Sequence, residues 1–397
     1  MSRLSGRPFL QIPGPTNVPL PVLAAIAKPT IDHRGPEFKV LALEIFSGLA
    51  EIIQTRGPVI IYPASGTGAW EAALVNTLSP GDAVLMAETG HFATLWRTIA
   101  QKLGLNVQFL PGDWRRGAIA ADIEARLAED RTHAIKAVAV VHNETSTGAV
   151  TDIAAVRRAI DAANHPALLL VDTISSLASI DYRHDDWGVD VTVAASQKGL
   201  MLPPGLSFNA VSAKARTAAR TARLPRAFWD WSDMLVANEK GYFPYTPSTN
   251  LLQGLKVAIK LLRDEGLEHV FARHSRMAEA VRCCVRAWGL EIWCTDPNDY
   301  SSVLTAVTVP DGVSADALRS DILQRSSVSL GNGLGRLADR VFRIGHLGDF
   351  NDPSMLGTLA AIETSLMCCG VPVKAGGVSQ AIAALTPLPG ATRAAAE

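Results

Sequence analysis

The chain has 397 residues, 48% of them hydrophobic, enough for a large core and more than one core usually serves, so two domains are expected. Lys and Arg total 37 against 38 Asp and Glu, a formal net charge of -1 that offers no field for a nucleic acid or an anionic membrane surface. The five cysteines lack the spacing of a zinc or redox motif, and no signal peptide or membrane-length apolar run is found; a cytoplasmic protein is expected, with small molecules or a second copy as partners.

After an N-terminal segment (1–25) expected to pack on the small domain or on a partner subunit, residues 26–265 read as the larger domain. From about 58 to 212, β-branched apolar runs alternate with helical spacing. Strands are predicted at Val59 to Tyr62, Ala83 to Ala87, Val107 to Leu110, Ile135 to Val141, Ala167 to Val171, Val191 to Ala195 and Leu206 to Val211. Helices are predicted between them at Trp70 to Leu78, Phe92 to Leu103 and Asp152 to Ala163, with Gly81 and Gly104 as stops. Such alternation predicts an α/β fold, helices covering both faces of a mostly parallel sheet of seven strands. Asn250 to Arg263 and Leu267 to Trp288 read as helices leading into a smaller α+β domain (266–380), with strands near Val303 to Val309 and Arg340 to Ile344 and a helix from Pro353 to Met367. The Ala- and Pro-rich tail, 381–397, is expected to be poorly ordered. His274, on the apolar side of the 267–288 helix, has no second ligand at i+3 or i+4 and reads as structural.

Three features fall at the carboxyl ends of predicted strands, where open α/β sheets place ligands. Pro63-Ala64-Ser65-Gly66-Thr67-Gly68-Ala69 precedes a helix expected to start near Ala69; its small residues and hydroxyls suit an anion, although such a run is often only a turn. The GxGxxG pattern is incomplete, since Glu71 holds the third glycine position, and no GK[ST] follows, which counts against dinucleotide and P-loop readings. Leu168 to Asp172 is an apolar strand ending in a carboxylate that would keep a pyridinium nitrogen protonated, or would act as a helix cap or ion-pair partner. Ala194 to Gly199 delivers Lys198 among small residues, either as a nucleophilic amine or as a solvated charge. One ligand, a phosphorylated pyridine aldehyde, needs all three functions.

The order of glycine-rich loop, strand-end Asp172 and Ser196-Gln197-Lys198 resembles the class V aminotransferases of pyridoxal-phosphate fold type I. Pro13 to Pro19, Gly66 to Glu71, His142 to Gly148, Asp181 to Pro204 and Phe342 to Gly348 are similar to the serine–glyoxylate and alanine–glyoxylate subgroup, with the run 181–204 favouring the serine–glyoxylate branch. The resemblance implies pyridoxal 5′-phosphate carried by Lys198, Asp172 at the ring nitrogen, Thr145 near the ring oxygen, and Ser65, Gly66, Thr67 and Gln197 at the phosphate. It puts Phe92 on the cofactor face, where a relative carries Trp. Arg343 would grip the substrate α-carboxylate. It also implies a homodimer with shared sites, in which Thr246, from the run holding Tyr242, Phe243 and Tyr245, reaches the neighbour's phosphate, and His33 and Arg34 reach its substrate pocket. The activity implied is transfer of an amino group from L-serine to glyoxylate, with alanine or a broad donor range as the alternative.

Overall fold

The computed structural model describes residues 8–386. It opens with a short strand, β1 (Phe9–Gln11), and two helices, α1 (Leu20–Ile26) and α2 (Pro36–Ile53). The alternating region follows: β2 (Val59–Tyr62), α3 (Gly66–Thr77), β3 (Ala83–Ala87), α4 (His91–Lys102), β4 (Asn106–Leu110), α5 (Ala120–Glu129) and β5 (Ile135–Val141). A small hairpin, β6 (Asn143–Glu144) and β7 (Ala149–Val150), leads to α6 (Ile153–Ala162), β8 (Leu168–Asp172), β9 (Val191–Ala195) and β10 (Ser207–Val211). Helices α7 (Ala213–Ala219), α8 (Trp231–Asn238), α9 (Thr249–Glu265) and α10 (Leu267–Trp288) carry the chain to a second sheet. That sheet is built from β11 (Glu291–Ile292), β12 (Leu304–Thr308), β13 (Val328–Asn332) and β14 (Val341–Gly345), with α11 (Ala315–Ser326), α12 (Asp352–Cys368) and α13 (Gly377–Leu385) packed about it.

The first sheet has seven strands in the order β2-β10-β9-β8-β5-β3-β4. β10 alone runs against its neighbours; the other pairings are parallel. Parallel strands are covered on both faces, which is why they are apolar throughout. Their side chains alternate: Val138 and Val140 of β5 join Leu169 and Val171 of β8 in one core, while Ala137, Ala139 and Val141 join Leu168 and Leu170 in another. The strands match the predicted runs to within a residue. α3 departs from expectation, starting at Gly66 instead of near Ala69, so the glycine-rich run is the first turn of the helix itself.

The second sheet, in the order β1-β13-β14-β12-β11, has its own core of Val285, Trp288, Phe342, Ile344, Leu359 and Ile362. β1 pairs in parallel with β13, Phe9 opposite Val328, which ties the N-terminal segment to this sheet. α10 spans the two units, with Val270 in a core of the first sheet and Val281, Val285 and Trp288 in that of the second. The expected tail at 381–397 is corrected in part. α13 runs to Leu385, because Ala381 and Leu385 bury an apolar face in the same core as Trp288; residues 387–397 lie outside the described residues. Among the described residues no helix is long and apolar enough to cross a membrane, and no His, Cys, Asp or Glu group is arranged to hold a metal.

His274 is a structural residue: one ring nitrogen bonds the Val270 carbonyl at 2.7 Å and the other accepts the Gly348 N–H at 3.1 Å. Burial holds His142, His184 and His274 down at about 4 and His346 at about 3. Between those values and the ordinary histidine value of about 6.5, the unfolded chain binds protons that the folded chain does not, so stability falls as pH drops through this window. Each histidine contributes up to about 1.4 kcal/mol per pH unit there. Calorimetry should find the melting temperature level between pH 8 and 7 and several degrees lower at pH 5; a level profile down to pH 5 would contradict the buried neutral state.

Candidate active site

β5, β8 and β9 run in register, with Val141 opposite Asp172 and Asp172 opposite Val193. The segments that follow these strands therefore emerge on one side of the sheet, and Ser65–Thr67 after β2 and His91–Phe92 after β3 emerge there too, at the carboxyl ends where such sheets bind ligands.

Asp172 is 4% exposed. Its Oδ2 accepts the Trp70 indole N–H at 3.1 Å and its Oδ1 accepts the Ile174 amide at 2.6 Å. Trp70 is in turn stacked on Trp96, ring centroids 5.7 Å apart, so the carboxylate is held in place. Burial pushes Asp172 up to about 7; the Ile174 amide and Trp70 oppose this, Glu144 adds to it and Lys198 offsets it. A carboxylate offers about four lone-pair directions, which leaves room for a further N–H, and a cation placed there would restore the ionised form.

Lys198 is drawn down to about 8, first by burial and then by the charge of Arg343, with Asp172 opposing. A useful fraction of the amine is thus unprotonated near neutral pH, as a nucleophile requires. Its Nζ donates to the Pro13 carbonyl at 2.6 Å. At the next residue, Gly14, φ is +106° and an added Cβ would stand 2.5 Å from Nζ, so glycine alone lets the N-terminal segment lie over the lysine. The sequence marks this segment only by resemblance; the two partners are 185 positions apart.

Arg343 sits on β14, 7% exposed, its Nε donating to the Asn332 carbonyl at 2.8 Å and its Nη1 to the Thr145 carbonyl at 2.7 Å. Burial lowers it to about 10, with Glu144 supporting and Arg319 opposing the charge, so it stays cationic at neutral pH. Two of five N–H groups are engaged, and the rest suit a bidentate carboxylate. Arg343→Lys is expected to raise KM for amino donor and oxo-acid acceptor alike by about 10- to 100-fold, because a point charge cannot bond both carbonyls and still grip two oxygens. Steady-state kinetics showing KM unchanged for either substrate would remove that role.

Thr145 is buried, its hydroxyl bonding Ser175 Oγ at 2.8 Å. Ser65 occupies the N-cap of α3 with extended backbone yet makes no capping bond through its side chain, which leaves its hydroxyl and the first-turn amides of Gly66 and Thr67 for an anion. The Gln197 Oε1 is buried without a partner; turned about its last torsion, the amide would present an N–H there instead. Phe92 is half-buried in the first turn of α4. Lysine, strand-end carboxylate, helix N-terminus and orphaned amide fit pyridoxal 5′-phosphate. Sequence reasoning missed Trp70 as the partner of Asp172, as well as Pro13 and Gly14 above Lys198.

Three candidates lie apart from this cluster in the single chain. Arg34 and Thr246 are exposed and His33 is half-buried; none hydrogen-bonds a site residue. Close to Thr246, Phe243 packs on Phe38 and Phe46 with centroids 5.9 and 5.6 Å away, and the Tyr245 hydroxyl donates to the Ile61 carbonyl, so both rings are committed within their own chain.

Fold and site together define a pyridoxal-phosphate enzyme of fold type I. The aminotransferase class-V family model matches residues 9–334, and the chain belongs to that family, whose cofactor is pyridoxal 5′-phosphate. It is 46% identical over 372 residues to the L-aspartate–glyoxylate aminotransferase of Paracoccus denitrificans, covering 93% of this chain and 94% of that protein. It is 47% identical over 387 residues to the serine–glyoxylate aminotransferase of Methylorubrum extorquens, covering 96% of each. The crystal structure of ureidoglycine–glyoxylate aminotransferase from Bacillus subtilis superposes with a TM-score of 0.88 at 25% identity, covering 97% of this chain and 99% of that one.

Proposed function

We propose that the chain transfers the amino group of L-serine to glyoxylate, giving hydroxypyruvate and glycine. The acceptor is common to the names of the three relatives, while their donors differ. What supports serine as the donor is the 47% identity to the serine–glyoxylate aminotransferase of Methylorubrum extorquens over 96% of each chain. The second reading, an aspartate donor, rests on the Paracoccus relative; alanine or a broad donor range is the third. Purified protein supplied with pyridoxal phosphate, glyoxylate and serine, alanine or aspartate in turn should form hydroxypyruvate with the highest kcat/KM. Oxaloacetate or pyruvate in excess of hydroxypyruvate would transfer the assignment to aspartate or alanine.

When bound, pyridoxal phosphate supplies an electrophilic carbon and a ring that accepts the electron pair released at a substrate Cα. Lys198 would hold the cofactor through Nζ, and the same amine, freed when an amino substrate takes its place, would move the proton at the substrate Cα. Asp172 would keep the ring nitrogen protonated. Arg343 would orient each substrate by its α-carboxylate, and Phe92 would pack against the ring. Ser65, Gly66, Thr67 and Gln197 would hold the phosphate, with Thr145 near the ring hydroxyl.

The working unit in this reading is a homodimer in the cytoplasm, with Thr246, His33 and Arg34 completing the neighbour's site. Supporting it are the exposed apolar side chains Leu20 and Leu23 of α1 and Val40 and Leu43 of α2, which flank Arg34 in the chain, and five free cysteines. Co-expressing Lys198→Ala with Arg34→Ala, each inactive alone, should restore about a quarter of wild-type activity through hybrid dimers with one intact site. No recovery, with hybrids verified by differential tags, would assign the pocket to one chain.

A further inference from the structure

Glu144 is a carboxylate with no exposed surface, and the chemistry above gives it no part. A buried charge persists only where donors surround it. Its Oε1 accepts the Phe92 amide at 3.2 Å, the Ser146 amide at 3.1 Å and the Ser146 hydroxyl at 2.6 Å, and its Oε2 accepts the Ala93 amide at 3.1 Å. Ser146 Oγ in turn accepts the His91 amide at 2.9 Å. Three consecutive first-turn amides of α4 are thus capped from a different segment. The helix's own N-cap residue, Gly90, has no side chain to cap with, and a Cβ there would lie 2.5 Å from Ser146 Oγ and 2.6 Å from Glu144 Cδ. The glycine is the opening through which Glu144 enters.

The neighbouring peptide holds a second residue of the site. The Thr145 carbonyl, adjacent to Glu144, takes the Nη1 bond of Arg343, and the charge of Glu144 favours the arginine's cationic form. From this geometry we propose that Glu144 is a positioning residue for both walls of the site. By capping α4 remotely it sets the angle of Phe92 over the cofactor, and through the Thr145 peptide it registers Arg343, so that ring and substrate carboxylate are placed relative to one another by a single buried carboxylate. Ser146 is its lever on the first amide of α4. The inference rests on the roles proposed above for Phe92, Arg343 and Lys198.

The test uses the holoenzyme and three variants, Glu144→Gln, Glu144→Ala and Ser146→Ala. The visible circular dichroism of the bound cofactor reads its angle to the stacked ring, independently of turnover. Glu144→Gln, whose amide cannot accept at both ends, should lose about half or more of that dichroism and raise KM for both substrates about fivefold or more. Ser146→Ala keeps the charge and the Thr145 peptide, so it should reduce the dichroism and leave KM near wild type. If the Glu144 variants fail to fold, the dichroism of Ser146→Ala decides alone. Wild-type dichroism and KM in the folded variants would overturn the proposal. Borohydride reduction of the same samples separates the two layers: a label on a lysine other than Lys198 sinks the site assignment, whereas a label on Lys198 with unaltered dichroism sinks only the role of Glu144.

Discussion

Lys198→Ala is expected to bind pyridoxal phosphate without a covalent link and to lose transamination by at least about 10^3-fold. The lysine is asked for two things at once. In the proposed mechanism its amine, brought to about 8 by burial and by Arg343, would form the link, and the same amine would carry the proton, a role that alone contributes about 10^2–10^4-fold. No neighbour substitutes: Asp172 is engaged with Trp70 and Ile174, and Arg343 is a cation held on two carbonyls. Borohydride reduction followed by mass spectrometry should place the pyridoxyl group of the wild type on Lys198 and find none in the variant. An adduct on another lysine, or a variant retaining a tenth of the activity, would reject the assignment.

Asp172→Asn is expected to leave the fold intact and slow turnover by about 10^2- to 10^3-fold, roughly 3–4 kcal/mol, of the order at stake when one partner of a buried charge pair is removed. The amide can still accept one of the two N–H groups that the carboxylate now accepts, from Trp70 and from Ile174, but it turns an N–H toward the other and cannot hold a proton on a ring nitrogen. Single-turnover measurement of amino-group transfer separates this from a binding defect. A rate close to wild type would make Asp172 a structural residue at the end of β8.

The first sheet was legible because a parallel strand buried on both faces must be apolar throughout, and Val59–Tyr62, Ala83–Ala87, Ile135–Val141 and Val191–Ala195 are such runs. The second sheet was less so. β1 is a three-residue run with no alternation to betray it, and it becomes a strand only by pairing with β13, more than three hundred residues away, which is itself also paired with β14. The Ala-rich composition that suggested a poorly ordered tail is, at Ala381 in α13, what packs a helix into the core of Trp288.

The same division runs through the site. Lys198, Asp172 and Ser65–Thr67 were accessible to sequence reasoning because each stands at the carboxyl end of a recognisable strand, where the backbone path dictates a ligand-facing position. Arg343 was accessible by motif alone. Strand patterning therefore determined the α/β class, and the order of the motifs, through the family they resemble, pointed to the cofactor and put Lys198 forward as the residue to carry it. What the tertiary structure decided is every relation between distant segments: Gly14 over Lys198, Trp70 on Asp172, Glu144 capping a helix to which it does not belong. The physical reason is that a strand's apolar pattern is local and repeats, whereas a buried polar group is satisfied by whichever segment the fold brings within about 3 Å, and no spacing in the chain encodes which one that is.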